Sequence, residues 1–243
     1  MSKIRFLNGN TLKLLAALFM LIDHAGLLLF PRIRLFRFIG RLSMPIFAFM
    51  ISEGAKYTRN KTNYFLGIAS LAFICQAVYY FYGNSLYMSI LVTFSLSILI
   101  IYAMQNAKKA LFQNDKSAKI SSVWLFCFTL VFAYAFTHIF SVDYGFIGVM
   151  MPVFASIPDF KDIDAPQKVK AIDNLYVRIL LMGILVFYLG LKSAPYQHFA
   201  LLSLPLLMLY SNKRGKLKLK YFFYVFYPVH LLALEGISML LRN

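Results

Sequence analysis

An aspartate and a histidine stand side by side, Asp23 and His24, inside an apolar run from Leu12 to Phe30. An ionisable group deep in lipid costs at least ~2.5–3.5 kcal/mol on insertion scales, so such residues usually face a bundle interior and mark a site or pathway. The chain places few there: Asp23, His24, Arg41, His138, Arg178, His230 and Glu235, with Arg37 and Glu53 near the ends of their runs. Histidine can accept and return a proton near neutral pH, which makes His24 a candidate general base. Eleven residues separate it in number from Lys13, which at ~1.5 Å per residue puts it roughly 16 Å into the membrane, near its middle. Neighbours on a helix point about 100° apart, so Asp23 and His24 do not share one reacting atom. Asp23 is instead placed to orient a neighbour or to pair with an arginine.

Arg37 and Arg41 are four apart and share a helical face, with Pro45 a turn later to kink the helix. A guanidinium is a planar fork suited to phosphate or carboxylate, so the pair is expected either to stabilise Asp23 or to hold an oxyanion or acyl donor. The neighbouring Arg32 and Arg34 equally fit contacts with lipid phosphates. Glu53 closes the same run, either as a supporting residue or as a counter-charge for Lys56 or Arg59. His230 follows Pro228 in the last run, with Glu235 five residues on and therefore on another face. A core hydrogen bond suits His230 as well as a catalytic role does. Asp143 and Tyr144 begin a DYG turn that borders an entrance or simply starts a helix. The four histidines lie in separate segments and the two cysteines, Cys75 and Cys127, in different apolar runs, so neither a metal site nor a disulfide framework is expected.

The elements that must position these groups follow from composition. Of 243 residues, 60% are hydrophobic and 14% charged, with Phe 25, Tyr 16 and Met 11. Soluble domains carry about 25% charged residues, and so aromatic a surface would aggregate unless lipid or a large interior covered it. A soluble enzyme, a disordered chain and an ordinary nucleic-acid-binding domain are thereby excluded. Runs of roughly 17–25 residues, the length needed to cross ~30 Å of hydrocarbon, number about nine: Leu12–Phe30, Phe36–Ala55, Tyr64–Tyr82, Leu86–Gln105, Ser122–Phe140, Tyr144–Ile157, Leu175–Leu191, Tyr196–Tyr210 and Tyr221–Leu241. The sixth and eighth are short enough to tilt or to cross only half. The expectation is an all-α, polytopic transmembrane helical bundle over residues 1–243, without a linker that would separate two domains.

The net charge of +16 is chiefly a topology signal. Eighteen of the 25 Lys and Arg residues fall on one side when the spans alternate, and five on the other. The positive-inside rule then puts the N-terminus in the cytoplasm and the C-terminus outside. The first outer loop, PRIRLFR, breaks the rule and asks for a local reason. The first apolar run is a full span without a small-residue cleavage site, so it reads as a membrane helix and not as a secretory signal.

Four stretches, KLLAALFMLIDHAG, RFIGRLSMPIFAFMISEGAKYTRN, VDYGFIGVMMP and GKLKLKYFFYVFYPVHLL, resemble the TraX family of membrane acetyltransferases, whose best-known members modify the N-terminus of conjugative F-type pilin. That family is similar in turn to a transmembrane acyltransferase superfamily with acyltransferase-3 enzymes and the lysosomal glucosaminide N-acetyltransferase. Those families carry a basic residue, commonly arginine, ten positions before a catalytic histidine; here Lys13 stands eleven positions before His24. The resemblance implies that His24 is catalytic, that Lys13 anchors phosphate, and that His230 and Tyr227 of the FYPVH motif line the acceptor side or assist.

It implies acetyl-CoA as donor substrate, loaded from the cytosol of a bacterium across its cytoplasmic membrane. Lys13, Lys56, Arg59 and Lys220 are the candidate anchors for the CoA phosphates, and His24 would act on an acceptor arriving from the opposite side. The acceptor is an amine such as a pilin or other peptide N-terminus, or a glycan or small molecule. Membrane lipids are the remaining partner; no nucleic acid is expected, and nothing marks a dimer face. The alternative is a proton-coupled transporter or flippase that uses the intramembrane Asp, His and Arg groups as a relay.

Overall fold

The computed structural model describes residues 5–83, 86–113 and 116–242, the side chains of residues 82, 83, 220 and 242 apart. Eleven α-helices occur among them: α1 (Gly9–Leu28), α2 (Arg34–Gly40), α3 (Ser43–Tyr57), α4 (Lys61–Gly83), α5 (Ile90–Leu111), α6 (Lys116–Ile139), α7 (Gly145–Ser156), α8 (Gln167–Lys170), α9 (Leu175–Lys192), α10 (Ser203–Met208) and α11 (Lys220–Arg242). A 3-10 helix, Pro195–Leu202, runs into α10. The polytopic all-α bundle expected from composition is what the chain forms.

Among the described residues seven helices are long and apolar enough to cross a membrane, counting α2 and α3 together as one, where the sequence offered about nine runs. Both runs that fall short are the ones already short in sequence. The sixth is α7, with 12 residues. The eighth is the 3-10 helix followed by α10, 8 and 6 residues. A 3-10 helix rises ~2.0 Å per residue against ~1.5 Å in an α-helix, so this segment covers about 25 Å in spite of its brevity.

The chain divides into two compact units, Met1–Met50 with Val186–Asn243, and Ile51–Leu185. In the first, the Asn8 side chain caps α1 by accepting from the Thr11 amide at 3.0 Å. The amides of Gly9 and Asn10, which no turn of α1 can satisfy, donate to the carbonyls of Lys213 and Arg214. The basic segment before α11 is thus tied to the start of α1. α11 runs parallel to α1, because His230 meets His24 and, eight residues on, Ser238 donates to the Leu28 carbonyl.

Two glycines let α2 lie close against α1. A Cβ on Gly26 would stand 2.5 Å from the Phe36 Cβ, and one on Gly40 2.2 Å from the Cβ and Oδ1 of Asp23; only glycine permits that approach. α2 then ends at Gly40 for a covalent reason. Pro45 has no N–H to give to the Arg41 carbonyl, so the ladder breaks at Arg41 and Leu42 and resumes as α3.

The second unit packs Ala55, Leu96, Ile100, Ile101, Met104, Ala133, Val149 and Val153 into one core. Along α5 and α7 the hydroxyl of Thr93 donates to the Asp143 carbonyl, Ser97 to Val149, and Lys108 Nζ to Ser156, Ile157 and Asp159. The two helices therefore run in the same direction. α7 with its flanks matches the depth of the fifteen residues between positions 93 and 108, roughly 22 Å. In α6 only Ala133 is buried, and its exposed Trp124, Phe128, Val131 and Phe132 suit contact with lipid.

Candidate functional site

The last helix brings its histidine to the first. His230, 5% exposed, lies with its Nε2 3.1 Å from His24 Nδ1 and its own Nδ1 2.8 Å from the Phe226 carbonyl. Those contacts set the protons. A carbonyl only accepts, so His230 Nδ1 carries hydrogen; the Nε2 of a neutral ring then accepts, and His24 Nδ1 must be the donor. His24 Nε2 is left with its lone pair. Phe226 stacks on the His230 ring at 4.7 Å and Tyr227, itself buried, meets its edge at 5.8 Å. The supporting ring is therefore held by packing on two sides, as a group that orients another should be.

Asp23 does not orient that ring. Its carboxylate accepts from Arg37 Nη1 at 2.8 Å and from Arg41 Nη2 at 3.0 Å to each oxygen, and Arg37 also reaches the Asp23 carbonyl. Two guanidiniums against one carboxylate leave a local charge of +1. The break after Gly40 lets Arg41, beyond the end of α2, reach the same acid as Arg37 within it. Of the two roles the sequence offers Asp23, orienting a neighbour or pairing with an arginine, the contacts are those of the second: it holds Arg37 and Arg41, and through Arg37 the helix α2, one residue away from His24. The Tyr196 ring lies under both guanidiniums, 5.7 Å from Arg37 and 5.3 Å from Arg41. Gln197, beside it, accepts from Arg41 Nη1 at 3.3 Å.

Tyr196 and Gln197 were missed in the sequence. Their signal was weak: a glutamine inside a short apolar run, where lipid or core would ordinarily refuse an amide without partners.

The remaining candidates separate by position. Lys13 lies in the second turn of α1, at the end to which Lys213 and Arg214 are tied. Lys220 opens α11, and its side chain lies outside the described residues. Glu53, Lys56, Arg59 and Tyr144 belong to the second unit. There Glu53 pairs with Arg178. Arg178 also donates to Ser52 Oγ and the Ala155 carbonyl.

Lys56 has its ammonium on Asp173 at 2.8 Å and on Asp159 at 3.2 Å, with 7% of its side chain exposed. A cation already facing two carboxylates has little left for a CoA phosphate. Arg59, just past α3, is exposed. Tyr144 takes a left-handed φ of 59° to start α7. The turn is fastened by Tyr87, whose hydroxyl donates to Asp143 at 2.8 Å; burial and that carboxylate hold the phenol above its ordinary range. Tyr144 thus serves the geometry of a turn. Among the described residues no group of three or more His, Cys, Asp or Glu could hold a metal ion.

Comparison with known proteins adds an independent finding. A family model described as TraX protein matches residues 8–238. The probable fimbrial assembly protein FimC, serogroup H1, of Dichelobacter nodosus is 25% identical over 256 aligned residues, covering 95% of this chain and 96% of that one. An uncharacterized protein of Rickettsia prowazekii (strain Madrid E) is 30% identical over 124 residues, 50% of this chain and 48% of its own length. No solved structure matches.

Proposed function

The chain belongs to the TraX family, and from that premise we propose that it is an integral membrane acetyltransferase serving pilus or fimbrial assembly, with acetyl-CoA as donor and a peptide N-terminal amine as acceptor. The relation to a fimbrial assembly protein over nearly its whole length supports the setting. The observation that carries the chemistry is the hydrogen bond between His230 and His24, which leaves His24 Nε2 unprotonated. That nitrogen takes the proton as the amine attacks the thioester carbonyl. The C–S bond then breaks, the amide forms, and the thiolate recovers a proton to leave as CoA.

Lys13 and the basic segment Lys213–Lys218 stand at the N-terminal end of α1, whereas His24 is four residues from its C-terminal end. About 22 Å of helix separates Gly9 from His24. An extended pantetheine arm suits that span, with its phosphates held at the basic end and its thioester brought to the ring. The predicted sidedness makes the basic end cytoplasmic, in a bacterial cytoplasmic membrane.

Two experiments test this. Purified protein in detergent or proteoliposomes is expected to move label from acetyl-labelled CoA to a peptide with a free N-terminus and not to the same peptide blocked there, read by mass spectrometry. Absence of transfer to every amine offered sinks the reading. For sidedness, single cysteines at Ser211 and at Ile33, in a chain with Cys75 and Cys127 replaced by serine, are exposed to a membrane-impermeant maleimide on intact cells. Labelling at Ile33 alone is expected; labelling at Ser211 alone would reverse the orientation.

A further inference from the structure

Gln197 is 3% exposed, and only one end of its amide is accounted for. Its Oε1 accepts from Arg41 Nη1. A guanidinium has donors and no acceptor, so the amide cannot be turned round: the oxygen must face Arg41 and the NH2 must face elsewhere. That Nε2 is buried and has no hydrogen-bond partner among the described residues. A buried donor without a partner is destabilising, and a helix-bundle protein has every opportunity to replace such a residue with leucine.

The surroundings say what it is kept for. The 3-10 helix presents Gln197 beside Tyr196, whose ring underlies the two guanidiniums that hold Asp23, the residue adjoining His24. The arginines, which the sequence suggested for an oxyanion, already direct hydrogen bonds at a carboxylate. The neutral amide has donors to spare.

We propose that Gln197 Nε2 donates to the acyl carbonyl oxygen of the bound thioester and stabilises the negative charge that gathers there when the amine attacks. This rests on the acetyltransferase reading and deepens it by assigning the oxyanion donor. Charge on the oxygen rises as the amine nitrogen bonds to carbon, and collapses again as the C–S bond breaks. A fixed dipole aimed at that oxygen lowers the barrier without reorganising. Arg41 sets the direction of the dipole through Oε1, so the chain from Asp23 to Arg41 to Gln197 is positioning machinery and Gln197 is its contact with substrate.

Two substitutions separate this from a structural role. Gln197→Glu keeps an oxygen for Arg41 and removes the N–H donors; Gln197→Met removes both and adds no charge. Both are expected to lower kcat for acetyl transfer about 100-fold or more, with KM for acetyl-CoA within about twofold of wild type. Gln197→Glu is also expected to raise the melting temperature in detergent, because Arg41 gains a carboxylate. If Gln197→Glu is as active as wild type, the N–H donors do nothing and the proposal is wrong. If Gln197→Glu loses activity and Gln197→Met does not, the added charge is responsible and the proposal again fails. Wild-type protein without any transfer from acetyl-CoA would remove the function and this inference together, whereas an active wild type with two active variants removes the inference alone.

Discussion

His24→Ala is expected to lower acetyl transfer by roughly 10³-fold or more, the range that a positioned base contributes, with binding of acetyl-CoA little changed. His230→Phe keeps the stack on Phe226 but removes the acceptor for His24 Nδ1–H. The imidazole of His24 can then place its proton on either nitrogen and turn. A loss of about 10–100-fold is expected, the usual effect of removing a partner that orients a functional ring. Because the two rings act as one unit, the double variant should be no slower than His24→Ala alone.

Initial rates with labelled acetyl-CoA, alongside donor binding by thermal shift, check all three. Multiplying losses in the double variant would mean that His230 works independently of His24. Full activity in His24→Ala would remove the base from the mechanism altogether.

The positions of these histidines were legible because lipid makes ionisable groups expensive, so any that lie within an apolar run stand out from the sequence alone. What each one meets was not. Helical periodicity tells which residues share a face, but the neighbour across that face depends on how helices pack, and His24 and His230 are 206 residues apart. The pairing of Arg37 and Arg41 with Asp23 was partly legible, since opposite charges in adjoining spans have few other partners. It needed Gly26 and Gly40 to bring the helices together, and a glycine in a span does not announce what it will touch.

The two runs short in sequence fall below the length of an α-helical crossing, one as the 12-residue α7 and the other where the backbone departs from the α-helix. The run at Tyr196–Tyr210 is too short for an α-helical crossing, and the 3-10 stretch that extends it begins with Pro195. Gln197 falls within that run, where its spacing sets it apart from nothing around it. The PRIRLFR loop that breaks the charge rule now has a local reason in part: Arg37, its last residue, is committed to Asp23.

The largest expected effect on stability lies in the second unit, at Glu53 and Arg178, which are 6% and 4% exposed and paired with each other. Glu53→Gln takes the paired carboxylate away from a buried guanidinium that also donates to Ser52 and a carbonyl. A guanidinium cannot shed its proton to escape the penalty, so about 3–5 kcal/mol of stability is expected to go. Arg178→Met leaves a carboxyl, which can become neutral by taking up a proton, and should therefore be the milder change.

Removing both charges at once, Glu53→Gln with Arg178→Met, replaces an ion pair by an amide and an apolar side chain. It is expected to recover much of the loss, as buried pairs replaced together usually do. Unfolding of the three variants in detergent by denaturant or heat gives the coupling energy directly. Additive losses would show that Glu53 and Arg178 stabilise the unit separately and that their contact counts for little. A strong negative deviation from additivity would make the pair the lock between α3 and α9, and would explain why an arginine sits in the first turn of α9, where a lipid-facing helix would carry leucine.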